Sequence, residues 1–259
     1  MLIQRVITAV IGAAMIFAAV ILGGYWLAVL FAMIAAVSTL EIGAMMKVPM
    51  WSIEQAVAVV CTVLMVIWPP FERFWYILFY LLLALTIVRR KEFSFAGAGV
   101  LFAGALYSSY AFRTLLNLRH LAYGFTWVLL VFLSIWATDT GAFFVGRAFG
   151  GRKLMPEISP KKTVSGAIGG FLLAVIVAVL FGVWSVGRGT YLWWQFAVVG
   201  AVISVFGQIG DLVESALKRN YMVKDSGWIL PGHGGVLDRF DSLLLAAPIA
   251  YHLIIGLFK

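Results

Sequence analysis

Apolar runs follow one another almost without pause along the chain, separated by short polar or glycine-rich stretches. Nine such segments are predicted, at about 6–22, 25–46, 53–69, 74–88, 95–116, 125–149, 165–187, 192–220 and 238–258. Most approach the roughly 20 residues that one bilayer crossing requires of a helix. Pro69-Pro70, Arg89-Arg90-Lys91 and the stretch from Gly150 to Thr163 are the clearest interruptions. The first segment lacks a small-residue cleavage site and runs almost directly into the second, so it reads as a retained helix rather than a signal peptide. No fixed-period repeat, low-complexity region or soluble domain is visible in the pattern.

Composition agrees. Of 259 residues, 63% are hydrophobic and only 12% charged, with a mean hydropathy of +1.03. Soluble domains are about 45–50% apolar and about 25% charged. A soluble enzyme, a secreted disulfide scaffold and a disordered chain are excluded, and a single cysteine, Cys61, supports neither an internal disulfide nor a cysteine metal cluster. The expected fold class is an all-α polytopic integral membrane protein of about nine transmembrane helices. Residues 1–124 would form a scaffold of N-terminal helices, and 125–259 a second transmembrane region.

The net charge of +8 is read as topology, with no nucleic acid implied. With the N-terminus inside, 14 of the 19 Lys and Arg residues fall on the cytoplasmic side, leaving Arg73, Arg113, Arg119, Arg188 and Lys259 outside. That bias supports nine crossings.

The candidate chemistry lies in the second half. All five aspartates, Asp139, Asp211, Asp225, Asp238 and Asp241, are there. Asp139 and Asp211 sit inside apolar segments, where an acid costs about 2.5–3.5 kcal/mol on insertion scales unless it faces a polar cavity or a partner. Both lie about ten residues from the inner ends of their helices, roughly 15 Å. Asp238 and Asp241, one turn apart, share a face at the start of the ninth segment. The acids could meet at one level, in a polar cavity in the cytoplasmic half of the bilayer. Hard carboxylate oxygens without companion His or Cys suit Mg²⁺ better than Zn²⁺. Taken singly, each acid has a blander explanation: Asp139 can pair with Arg147, and Asp238 or Asp241 with Arg239 or Arg219.

Basic loops flank these acids. Arg152-Lys153 and Ser159-Pro160-Lys161-Lys162-Thr163 join segments six and seven, and Lys218-Arg219 and Lys224 follow segment eight. Ser159 or Thr163 could cap segment seven, whose free N–H groups beside two lysines would make an anion site; contact with anionic lipid headgroups is the alternative. Around His233, three glycines would let backbone N–H groups approach a phosphate closely, and His233 could donate to a phosphate oxygen or orient a metal ligand. The GxxxG spacings Gly146–Gly150 and Gly166–Gly170 read as helix packing, and the ten tryptophans as an interfacial belt. Glu41, in segment two, is a candidate site member that nothing else in the sequence places.

Residues 215–241 carry Ser215-Ala-Leu-Lys218-Arg219, four residues, Lys224-Asp225, then Pro231-Gly-His233-Gly-Gly-Val-Leu-Asp238-Arg239-Phe-Asp241. This resembles the signature of the phosphatidate cytidylyltransferases (CDP-diacylglycerol synthases), with every fixed position filled. Thr138-Asp139-Thr-Gly through Gly146-Arg147 to Ser159-Pro-Lys-Lys-Thr163 resembles the same family, so the likeness covers about residues 136–245. Ser165 stands where the family often has another polar or an acidic side chain. The resemblance implies transfer of CMP from CTP to phosphatidate, giving CDP-diacylglycerol and pyrophosphate for phospholipid biosynthesis. It implies Mg²⁺, with a second cation such as K⁺ left open, and a homodimer among membrane lipids in the plasma (inner) membrane, its active site facing the cytoplasm. Carried over residue by residue, Asp211, Asp238 and Asp241 would hold metal, with Asp139 holding a second cation or orienting a basic residue. His233 and Lys224 would join the catalytic set. Arg147, Ser159, Lys161, Lys162, Thr163, Ser215, Lys218, Arg219, Asp225 and Arg239 would bind substrate. The weighed alternatives are a CTP-dependent polyprenol or other lipid kinase and an ion-coupled transporter.

Overall fold

The computed structural model describes residues 2–70, 72–186, 191–227 and 234–258. Its helices are α1 (Leu2–Leu22), α2 (Gly24–Met45), α3 (Ile53–Ile67), α4 (Glu72–Val88), α5 (Phe95–Arg119), α6 (Gly124–Phe149), α7 (Val164–Val186), α8 (Trp193–Asn220) and α9 (Leu237–Leu257). Each answers to one of the nine apolar segments. Six helices, α2 and α5 to α9, are long and apolar enough to cross a membrane. The chain is thus a helical, multi-pass membrane protein.

One element was not expected. Between α6 and α7, β1 (Lys153–Met155) and β2 (Ser159–Thr163) pair antiparallel, with Lys153 opposite Thr163 and Met155 opposite Ser159. The all-α expectation is therefore amended by a short hairpin. Its strands are too short and too rich in lysine to show the apolar alternation by which a half-buried strand is recognised. The chain reaches it through Gly150, whose φ of 59° ends α6 in a conformation that disfavours a side chain.

The chain divides into two compact units, Met1–Leu116 with Asn220–Phe240, and Asn117–Arg219 with Asp241–Lys259. In the first, Ser52 caps α3 by accepting from the Gln55 N–H at 3.2 Å. A core of Ala58, Cys61, Met65, Leu78, Leu82, Leu101 and Ala105 joins α3, α4 and α5, so Cys61 is a packing residue. Polar groups buried here are paired across helices: Thr39 and Thr62 hydroxyls lie 3.1 Å apart, and Gln55 donates to the Thr39 carbonyl. Buried Glu54 meets Arg89 at 2.9 Å, tying the start of α3 to the end of α4.

In the second unit, α6 and α7 pack through glycines. A Cβ on Gly166 would lie 2.8 Å from the Ala142 carbonyl oxygen, and one on Gly170 2.5 Å from that of Thr138. Gly146 faces Gly166 in the same seam. The GxxxG reading holds for Gly146, Gly166 and Gly170 but not for Gly150, which has nothing within 4 Å and serves the helix end instead. Trp127, Phe196 and Phe258 stack together, with centroids 4.6–6.0 Å apart. Gly210 lets α9 approach α8, since a Cβ there would stand 2.6 Å from the Asp241 carbonyl oxygen.

Candidate active site

Where α6, the hairpin, α7 and α8 converge, the second unit holds a cavity of about 410 Å³. That lies within the ~300–1,000 Å³ usual for small-molecule sites. Thr138, Asp139, Phe143 and Arg147 come from α6, Leu154, Lys161, Lys162 and Thr163 from the hairpin, Ala167 from α7, and Gln208 and Asp211 from α8. The hairpin is fastened on three sides. Thr163 caps α7, its hydroxyl oxygen accepting from the Gly166 N–H at 3.1 Å. Ser165 donates to the Gly150 carbonyl, closing the base of the loop and giving that position a role. Arg219 Nε donates to the Ile158 carbonyl at 3.4 Å, steadying the tip.

Inside the cavity Lys162 Nζ lies 2.5 Å from Asp211 Oδ2. Ser215, one turn along α8, donates to Asp211 Oδ1 at 3.3 Å. Asp241 interacts electrostatically with Asp211, Asp139 and Lys162. Two acids, Asp139 and Asp211, and three cationic side chains, Lys162, Lys161 and Arg147, line the same cavity, the last two exposed, so it offers oxygen ligands for a cation beside positive charge for an anion. Among the described residues, no three His, Cys, Asp or Glu side chains form a ready-made ligand cluster. Mg²⁺ fits the donor chemistry all the same: carboxylate oxygens with no soft ligands, for an ion that usually takes only one or two protein carboxylates and completes its shell with water and substrate phosphate.

The remaining sequence candidates are placed as follows. Ser159 pairs in the ladder with Met155 and does not line the cavity. Lys218 lies 2.5 Å from buried Glu214, one turn away, so part of its charge is answered within α8. In the first unit, Lys224, Asp225 and Arg239 are exposed, and His233 lies outside the described residues. Asp238 Oδ2 accepts from the N–H groups of Ser226 and Gly235, both at 2.9 Å, and lies 3.0 Å from Ser226 Oγ, whose single proton is shared with Glu41 Oε2.

One side chain of the cavity, Gln208, has no part in the sequence expectations, and one possible site member, Glu41, now has partners. Gln208 lines the cavity one turn before Asp211 and donates to the Ala167 carbonyl at 3.3 Å. Glu41 accepts from the Val236 and Leu237 N–H groups, both at 2.8 Å. Of the three glycines expected to open this stretch to phosphate, Gly235 gives its N–H to Asp238, while Gly232 lies with His233 outside the described residues. Glu41 had one signal: an acid within an apolar helix.

The family model described as the cytidylyltransferase family matches residues 3–257, nearly the whole chain. The chain belongs to the cytidylyltransferase family. Within it, the phosphatidate cytidylyltransferase of Bacillus subtilis (strain 168) is 46% identical over 175 residues, 67% of this chain and 64% of that protein. That of Staphylococcus saprophyticus is 42% identical over 176 residues, 68% of this chain and 66% of that protein. That of Staphylococcus aureus (strain COL) is 40% identical over 176 residues, with the same coverage. The matched region thus spans just under two thirds of these relatives' length.

Proposed function

We propose that this protein is a phosphatidate cytidylyltransferase, transferring CMP from CTP to phosphatidate. The observation that carries the reading is one cavity lined by Asp139 and Asp211 together with Lys161, Lys162 and Arg147, with Lys162 paired to Asp211. A phosphate oxygen of phosphatidate attacks the α-phosphorus of CTP; the new P–O bond forms as the bond between the α-phosphorus and its bridging oxygen breaks, and pyrophosphate leaves. The nucleophile is already ionised near neutral pH, so no strong general base is needed. The difficulty is to bring anions together and to stabilise the departing charge, which fixed cations and dipoles accomplish.

Lys161, Lys162 and Arg147 supply that positive charge at the cavity, and Thr163 and Ser165 hold the lysine-bearing strand in place. Asp211 and Asp241, with Asp139 and Asp238, would hold Mg²⁺, which supplies Lewis-acid polarisation of the phosphates when bound; a K⁺ ion as second cation is part of the same proposal. Ser215 keeps Asp211 oriented. Arg219, Lys218, Lys224 and Arg239 add positive charge for the triphosphate and headgroup, and Asp225 and His233 complete the signature stretch.

The reading extends to the surroundings. Nine crossings, a cytoplasm-facing cavity in the plasma membrane, residues 125–259 as the catalytic region and a homodimer built on the N-terminal helices are proposed with it. The excess of basic residues on one side of the nine-segment topology supports the orientation. Purified protein supplied with phosphatidate, labelled CTP and Mg²⁺ should give CDP-diacylglycerol and pyrophosphate in equal amounts. Release of CDP would mark a lipid kinase instead, and no nucleotide turnover would sink the proposal.

A further inference from the structure

We infer that Glu41 is a positioning residue for Asp238, acting through Ser226. The inference rests on the metal-dependent transfer proposed above. Glu41 stands near the end of α2 and is 3% exposed, so its carboxylate is tolerated only if its oxygens are well bonded. Oε1 accepts from the Val236 N–H at 2.8 Å, and Oε2 from the Leu237 N–H at 2.8 Å and from Ser226 Oγ at 2.9 Å. The same Ser226 hydroxyl lies 3.0 Å from Asp238 Oδ2. One hydroxyl therefore stands between two carboxylates, and with the N–H groups of Ser226 and Gly235 it fixes the Asp238 side chain from three directions.

The space around this bridge admits no additional atom. A Cβ on Gly227 would lie 2.4 Å from Glu41 Oε1, and one on Gly235 2.5 Å from Glu41 Oε2 and 2.0 Å from Ser226 Oγ. An ordinary helix start is capped by a neighbouring residue in sequence. Here the acid comes from 195 positions away and reaches, through one serine, a carboxylate of the signature stretch. Groups that hold metal ligands in place typically cost about 10–100-fold in metal affinity or activity when removed. Glu41 thus sets the direction in which Asp238 presents its charge.

The test compares wild-type protein with Glu41→Gln and Ser226→Ala, titrated with Mn²⁺ alone and followed by the electron paramagnetic resonance signal of the free ion. Mn²⁺ affinity should fall about tenfold or more in both variants. In the cytidylyl-transfer assay kcat should fall while KM for CTP stays within about twofold. Ser226→Ala carries the test if Glu41→Gln does not fold, because Glu41 keeps its bonds to Val236 and Leu237. Unchanged Mn²⁺ affinity in folded variants, whatever their activity, would reduce Glu41 to a helix cap and overturn the inference. So would a wild-type protein that turns over CTP yet binds no Mn²⁺. A wild-type protein that makes no CDP-diacylglycerol at all overturns the function proposed above instead.

Discussion

Lys162 Nζ lies 2.5 Å from Asp211 Oδ2, joining the lysine-bearing strand β2 to helix α8. The pairing gives Lys162 two duties, to compensate Asp211 in the resting protein and to meet phosphate charge in the complex. Lys162→Met should lower kcat/KM for CTP by about 100-fold or more, the usual cost of losing one preorganised charge-stabilising donor. Lys161, exposed at the same cavity, should contribute mainly to binding, so Lys161→Ala raises a Michaelis constant with kcat largely kept. Steady-state kinetics with CTP and phosphatidate varied separately separates the two effects.

Asp238→Asn should abolish turnover and leave folding and membrane insertion intact. The asparagine carbonyl can still accept from Ser226 and Gly235, so the local strap survives while the negative charge is lost. Comparable melting temperatures in detergent, together with loss of activity, is the expected pair of results. Near-wild-type turnover would remove Asp238 from the metal site.

The helices were legible because each buries or presents to lipid an almost continuous apolar run, a signal that survives without knowledge of the neighbours. The acids and lysines of the cavity were legible for the converse reason: charges within or beside such runs have few alternative uses. The hairpin was not, since Lys153–Met155 and Ser159–Thr163 owe their pairing to fastening by Gly166 and Arg219 rather than to an apolar face. Nor was Glu41's role, because its partners Val236 and Leu237 are nearly two hundred residues distant and bond through backbone N–H groups, which leave no mark on residue type.

The glycine seam between α6 and α7 sets the floor of the cavity, and its tolerance can be measured. A Cβ at Gly170 would lie 2.5 Å from the Thr138 carbonyl, on backbone that cannot swing aside as a side chain would. Gly170→Val must therefore separate the helices. Overpacking of this kind costs about 1–3 kcal/mol, and because Thr138 lines the cavity, activity should fall with stability. Thermal unfolding in detergent should show a lower midpoint for Gly170→Val and little change for Gly99→Ala, whose Cβ meets nothing within 4 Å.

Gly235→Ala offers a sharper separation of stability from chemistry. The new methyl would fall 2.0 Å from Ser226 Oγ and 2.5 Å from Glu41 Oε2, and 2.7 Å from the Gly227 backbone nitrogen. Ser226 can rotate away, whereas the Gly227 backbone cannot, so the turn entering α9 must shift and Asp238 Oδ2 loses its alignment with the Gly235 N–H. A shift of about 1 Å in a positioning group can cost about 100-fold in rate. Gly235→Ala should accordingly lose turnover by that order while the protein still inserts and purifies as the wild type does. Activity matching that of Gly99→Ala would mean the turn is loose enough to accept a side chain, and that the close approach of Glu41, Ser226 and Gly235 does not govern the reaction.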